Sequence, residues 1–180
     1  GSFNNFAKIN NNVVRVWSEI LKSIKNSKLI LKSSIPLQTI NIKNQFKKYG
    51  VLDSIIFSGS KPFKEHLNLY NSIDICLDTF PYNGVTTSFE ALWMGIPVLT
   101  MKGYNFNSRC GESINKNLNL MSMIADDEND YISKAKEFSD KEKLVNTRNI
   151  VFDNLLVSPL FDGKKFSKEF LGSLEAIYNK

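Results

Sequence analysis

One hundred and eighty residues are enough for one domain, or for one lobe of a larger protein. A hydrophobic content of 42%, with 13 Phe, supports a buried core and excludes a disordered chain. The net charge of +5 comes from 23 Lys and Arg against 18 Asp and Glu, spread without any block of five or more basic residues, which disfavours nucleic acid and suits an anionic small ligand.

The first nine residues read as the end of a strand and a loop. A helix is expected from Asn11, capped by Asn10 or Asn11, with Val13, Val14, Trp17, Ile20, Leu21 and Ile24 on one face. Residues 29–31 suit a short strand, and 33–38 a loop holding Pro36. Residues 40–49 suit a second helix, closed by Gly50 just past its end. A strand over 55–57 and a short helix over 63–70 follow.

Residues 72–100, SIDICLDTFPYNGVTTSFEALWMGIPVLT, organise the rest. An apolar strand over 73–77 ends at Asp78. Pro81 and Asn83-Gly84 are turn chemistry. Thr86 and Thr87 then open a helix that runs to Gly95, and 97–101 is another strand. Beyond a loop at 102–106, a helix over 108–117 is expected with Ser108 as its cap. A last short strand covers 123–125. The acidic run 126–128 precedes a helix through Tyr131 and Phe138, where the macrodipole favours negative charge. A helix over 141–156, a break at 158–163 and a final amphipathic helix carrying Phe166, Phe170, Leu171, Leu174, Ile177 and Tyr178 complete the chain. Five or six short strands alternating with helices predict an α/β fold, a Rossmann-like parallel sheet covered on both faces, with helices at the C-terminal end.

The chemistry is narrowed by elimination. The chain has no GxGxxG, no GxxxxGK[ST] and no GxSxG. Its one histidine, His66, and two cysteines, Cys76 and Cys110, make no metal-ligand cluster, and Cys76 within an apolar strand reads as a packed thiol. Nothing suggests a disulfide scaffold, a signal peptide or a membrane span, so a cytoplasmic location is expected. The best candidate is the Gly84–Thr87 turn, where a helix start offers unpaired N–H groups to an anion. Two readings of it stand. Thr87-Ser88-Phe89-Glu90 matches a capping box, with Glu90 reaching back to the Thr87 N–H. Alternatively, the turn holds a diphosphate and Glu90 faces a ribose. Asn4, Asn5 and Lys8 would lie at the same carboxyl edge of the sheet, where ligands bind in open parallel sheets.

Five stretches, SFNNFAKIN, IIFSGSKPFKEH, DICLDTFPYNGVTTSFEALWMGIPVLTM, SRCGESI and SPLFDGKKF, resemble one family in order and spacing. They are similar to the C-terminal lobe of the catalytic region of the O-linked N-acetylglucosamine transferase and SPINDLY family, in a bacterial member, over nearly the whole chain. The resemblance implies that residues 1–180 are one domain, the donor-binding lobe of a GT-B glycosyltransferase, lying in the full-length protein beside an N-terminal catalytic lobe and tetratricopeptide repeats. It implies an inverting transfer of N-acetylglucosamine or a related sugar to Ser or Thr of a protein acceptor, with no metal. By the same resemblance Asn5 is a polar donor-binding residue, and Lys8 contacts the diphosphate. Gly84, Thr86 and Thr87 form the phosphate-binding turn, Glu90 binds ribose hydroxyls and His66 lies near the nucleoside. No catalytic base stands out. Three positions depart from the animal enzymes' pattern: Val85 in place of a His, Phe63 of a Lys and Leu69 of an Arg. They leave open whether the donor is UDP-N-acetylglucosamine or, as in the SPINDLY branch, GDP-fucose. The expected partners are a nucleotide sugar and a protein, with neither nucleic acid nor membrane. The isolated lobe is expected to be inactive. A nucleotide-binding module without transfer, or an interaction module, are the alternatives.

Overall fold

The computed structural model describes residues 1–33 and 35–179. Five short strands are all parallel: β1 (Leu29–Lys32), β2 (Ile55–Ser58), β3 (Cys76–Leu77), β4 (Val98–Met101) and β5 (Ile124–Ala125). β1 pairs with β2 from Leu29 opposite Ile55 to Lys32 opposite Ser58, and β4 lies between β3 and β5. The opening segment, residues 1–3, stitches the two groups together. Its Ser2 bridges to Leu31, the Ser2 N–H donates to Ile30 O (2.9 Å), and the Leu77 N–H donates to Gly1 O (2.8 Å). The spatial order is therefore β2, β1, opening segment, β3, β4, β5. The chain moves outward in one direction through β1 and β2, then returns to the other side of the opening segment with β3. That reversal is a topological switch point, and the crevice at its carboxyl end is where this topology places ligands.

Helices cover the sheet for reasons visible in their sequences. α1 (Asn11–Ser23) starts where Asn10 accepts the Val13 N–H (3.0 Å), buries Val13, Val14, Val16, Trp17 and Ile20, and packs against α2 (Pro36–Lys48) and α6 (Glu128–Glu137). Each such side chain contributes about 1.5–3 kcal/mol when fully buried. α6 is capped by Asp127, which accepts the Asp130 N–H. Gly50 sits past the end of the helix Pro36–Lys48 with φ +70°, the left-handed conformation that its position requires.

Several boundaries differ from the sequence expectation. α2 spans Pro36–Lys48, so the expected loop over 33–38 is helical from Pro36 onward. Proline at the first helical position loses nothing, because that N–H has no intrahelical acceptor; Ser34 lies outside the described residues. The strand expected over 73–77 shrinks to Cys76–Leu77 because the Ile73 and Asp74 carbonyls accept Arg148 Nη2 at 2.8 and 3.2 Å instead of joining a ladder. α3 covers Phe63–Leu69 and α4 Thr86–Trp93. α5 (Phe106–Asn117) begins earlier than the expected Ser108: Asn105 is its cap, and Ser108 is the third helical residue, bonded back to the Asn105 N–H (2.9 Å). α7 covers Lys141–Leu155 and α8 covers Gly163–Tyr178. α8 has the expected apolar stripe, yet none of its residues is buried. Among the described residues no helix is long and apolar enough to cross a membrane, and no group of three or more His, Cys, Asp or Glu is placed to hold a metal.

Candidate functional site

The switch point is built around one buried carboxylate. Asp78, at the end of β3, accepts from the Gly84 N–H (2.7 Å), the Thr79 N–H (2.9 Å) and Asn4 Nδ2 (3.3 Å) through Oδ1, and from Thr100 Oγ1 (2.8 Å) through Oδ2. Three segments, the opening turn at Asn4, the loop over 78–84 and β4 at Thr100, thus meet at one side chain. Burial raises its pKa to about 6 against the pull of those hydrogen bonds and of Lys8, so desolvation wins. A second buried residue, Asn83, continues the frame. Its Nδ2 donates to Thr79 O (2.9 Å), its Oδ1 accepts the Gly111 N–H of α5 (3.2 Å), and its own N–H reaches Asn107 O (3.0 Å).

The turn so held is tight. A Cβ on Gly84 would lie 2.7 Å from Thr87 Oγ1, 2.8 Å from Asn4 Oδ1 and 2.9 Å from Ser88 Oγ, so any larger residue would have to push these side chains aside. A Cβ on Gly111 would lie 2.1 Å from Thr100 Oγ1, which brings α5 close beneath the same frame. α4 then starts with no side-chain cap, its flanking residue being Val85. Among the described residues the N–H groups of Thr86, Thr87 and Ser88 have no protein acceptor. Thr86 is exposed and Thr87 half-buried, its hydroxyl donating to Asn4 Oδ1 (3.0 Å).

The capping box expected of the Thr-Ser-Phe-Glu stretch does not form. The helix begins at Thr86, so Thr87 is already inside it. Glu90 Oε2 is taken by His66 Nε2 (3.0 Å) and Tyr70 Oη (3.3 Å) instead. The single Tyr70 hydroxyl hydrogen is shared between Glu90 and Thr87 O (3.3 Å), and burial raises the tyrosine's pKa so that it stays a phenol. His66 Nδ1 lies 3.1 Å from Lys32 Nζ. An ammonium can only donate, so Nδ1 accepts and Nε2–H points at Glu90. The ring of Phe3 packs on both His66 and Tyr70, at centroid distances of 5.7 and 4.7 Å.

Lys8 ends a single helical turn, Phe6–Lys8, whose cap is Asn5: the exposed Asn5 side chain accepts the Ala7 N–H (2.9 Å). Lys8 Nζ donates to Asn83 O (2.8 Å) and stands 4.3 Å from the centre of the Tyr82 ring. Burial lowers its pKa, with Asp78 opposing. Lys8, Gly84, Thr86 and Thr87 therefore converge on one crevice, with Glu90 and His66 joined beside it and Asn5 at the rim. The sequence reading lacked Asp78, Tyr70, Asn83 and Lys32. Two of these carry a local signal, Asp78 as a carboxylate ending an apolar strand and Asn83 as the first residue of an Asn-Gly turn. Cys76 is buried with its thiol pKa pushed up to about 12, as a packed thiol should be.

A Rossmann-like lobe with an uncapped helix start at its switch point is the class that this fold defines. Residues 1–170 match glycosyl transferase family 41. The chain is 35% identical over 189 residues to the probable UDP-N-acetylglucosamine–peptide N-acetylglucosaminyltransferase SPINDLY of Solanum lycopersicum, covering 99% of this chain and 19% of that protein. It is 32% identical over 171 residues to the UDP-N-acetylglucosamine–peptide N-acetylglucosaminyltransferase of Caenorhabditis elegans, covering 92% of this chain and 14% of that one. A mutant of the Thermobaculum terrenum O-GlcNAc transferase superposes with a TM-score of 0.87 at 29% identity, over 99% of this chain and 34% of the other. The chain belongs to glycosyl transferase family 41, and its fold is one lobe of the GT-B arrangement. It spans about a fifth of the length of the SPINDLY relatives that it matches.

Proposed function

We propose that this chain is the donor-binding lobe of a protein O-glycosyltransferase. It holds a nucleotide sugar for inverting transfer of N-acetylglucosamine, or a related sugar, to a Ser or Thr hydroxyl. The observation that carries this reading is the uncapped start of α4, whose three free N–H groups lie beside Lys8 at the switch point. A diphosphate fits such a cradle, since backbone N–H groups and the helix dipole both favour negative charge. As the glycosidic bond breaks, charge accumulates on the leaving diphosphate. Lys8 and the Thr86 and Thr87 N–H groups meet that charge with fixed donors rather than a metal ion. Each such donor is worth about 2.7–4 kcal/mol in comparable oxyanion sites. Glu90, held by His66 and Tyr70, is oriented to accept from ribose hydroxyls. Asn5 lies at the rim, where it contacts the donor once the cleft is formed.

The nucleophile's base and the acceptor contacts belong, in this reading, to an N-terminal lobe. The chain's fifth share of its relatives' length supports that division and supports an inactive isolated lobe. The first test is calorimetric titration of the folded chain with UDP and, separately, GDP. Binding of one of them, weakened about tenfold or more by Lys8→Ala and less by Thr87→Val, is the expected result. Binding that survives Lys8→Ala unchanged would place the nucleotide elsewhere. Sugar transfer by the chain alone would remove the inactive-lobe part of the reading.

A further inference from the structure

A lysine carries a compact charge on a flexible four-carbon stem, so something outside the stem must fix where the ammonium of Lys8 stands. An ion pair would fix it, but a paired carboxylate would also cancel the charge that a diphosphate needs. Among the described residues Lys8 makes no ion pair. Asp78 and Cys110 are near enough to favour its charged form, yet the Asp78 oxygens are already filled by Gly84, Thr79, Asn4 and Thr100. Two uncharged groups hold Lys8 instead, and they are neighbours on one turn. Nζ donates to Asn83 O (2.8 Å), and the same ammonium stands 4.3 Å from the centre of the Tyr82 ring. The other lysines beside rings stand farther off, Lys43 at 5.0 Å from Phe57 and Lys143 at 5.4 Å from Phe138. The place of Tyr82 is set through its backbone, since Thr79 Oγ1 donates to Tyr82 O (2.7 Å). Its side chain is half exposed, and its hydroxyl bonds to nothing among the described residues, so the ring face is the part in use.

We infer, on the donor-lobe reading above, that Tyr82 is a positioning residue for Lys8: its ring holds the ammonium at the Gly84 turn, where it meets an incoming phosphate oxygen. A ring face attracts a cation through its quadrupole and leaves the charge uncancelled. Partial burial works against the charged form of Lys8, and the ring works for it. Asn83 O and the ring together engage two sides of the ammonium, which leaves one of its three N–H groups for the ligand. Tyr82 acts in this account only through Lys8 and touches no part of the nucleotide. The turn over 79–84 thereby does two jobs with adjacent residues, placing the N–H groups of α4 and placing the cation that shares their load.

The test is a double-mutant cycle read by titration with UDP and with GDP, joined to the proton resonance of the Lys8 ε-methylene. Tyr82→Phe keeps the ring and should bind the favoured nucleotide as the wild type does. Tyr82→Leu removes the ring and should bind it about three- to fivefold more weakly. In a Lys8→Ala background the same Tyr82→Leu change should cost nothing further, because the ring has no cation left to hold. Without any ligand, the ε-methylene signal should show the upfield shift of a proton above a ring in the wild type and in Tyr82→Phe, and lose it in Tyr82→Leu. An equal loss from Tyr82→Leu with and without Lys8 would mean that the ring touches the nucleotide or merely supports the turn, and would overturn the inference. So would a Tyr82→Leu variant that binds like the wild type, a Tyr82→Phe variant that binds as weakly as Tyr82→Leu, or a Lys8 signal that Tyr82→Leu leaves in place. If the wild type binds neither nucleotide, or Lys8→Ala binds as well as the wild type, the donor-lobe reading itself falls and takes this inference with it. If circular dichroism shows that Tyr82→Leu does not fold, Tyr82→Met carries the same test.

Discussion

Replacing Asp78 by Asn separates the two opposing effects at the centre of the site. The carboxylate gains hydrogen bonds from Gly84, Thr79, Asn4 and Thr100, yet its burial raises its pKa from the ordinary 3.8 to about 6. A folded state that holds its proton to higher pH is favoured by this group below pH 3.8, and it loses that advantage as pH rises through 6. The separation, 6 minus 3.8, is 2.2, which at about 1.4 kcal/mol for each corresponds to ~3 kcal/mol between pH 4 and pH 7. Glu112 and Asp126 act with the opposite sign, since hydrogen bonds from Lys116 and from Lys102 hold them below their usual range. The informative quantity is therefore the difference between wild type and Asp78→Asn, in which the other groups cancel. Urea unfolding at pH 4, 5, 6 and 7 should show Asp78→Asn gaining on the wild type by ~3 kcal/mol across the series. Asn keeps an acceptor for the Gly84 and Thr79 N–H groups, so the variant should fold at every pH. A difference that stays constant from pH 4 to pH 7 would refute the argument, because the hydrogen bonds would then fully offset the desolvation.

Gly84→Ala drives a methyl group into three oxygens within 3 Å and should cost about 1–3 kcal/mol of stability and weaken nucleotide binding; unaltered binding in a titration would mean that the turn yields. Trp17→Ala empties the centre of the α1 face and should cost about 3–5 kcal/mol in chemical unfolding, a loss that a well-collapsed site would keep below 2. Truncation after Asp162 removes α8, none of whose residues is buried, and should leave the melting temperature of the remaining chain within about 2 °C; a larger fall would mean that α8 supports the core.

Local chemistry made some elements legible. Asn10 followed by an apolar 3.6-residue period announces α1, and Gly50 marks the end of α2. Pro36 reads as a loop residue because nothing local distinguishes a proline that breaks a chain from one that opens a helix. The strand before Asp78 was overestimated because its fate depends on Arg148, about 75 residues further along. The site divides in the same way. Lys8, Thr86 and Thr87 carry recognisable chemistry at recognisable places. Glu90 does not, because a Thr-x-x-Glu stretch fits a cap equally well. The choice between cap and partner is made by His66 and Tyr70, 24 and 20 positions away. Asp78 is invisible as a hub for the same reason: its partners include residues 74 positions before it and 22 after. What the sequence lacks is the meeting of segments, and the switch point is where most segments meet.

The pairing of the opening segment with both Ile30 and Leu77 has a consequence for how the site can be watched. Asn4 meets Asp78, and Lys8 meets Asn83, across separations of 74 and 75 residues. Such contacts close only when the central sheet closes, so the crevice cannot open piecemeal while the sheet stays intact. The Gly84 amide should then be among the slowest to exchange with solvent, opening only with the whole fold. A ligand held there stabilises the entire domain, by about 2.7 kcal/mol at one hundred times its dissociation constant. A melting curve thus becomes a binding assay, and one that needs neither an acceptor protein nor a second lobe.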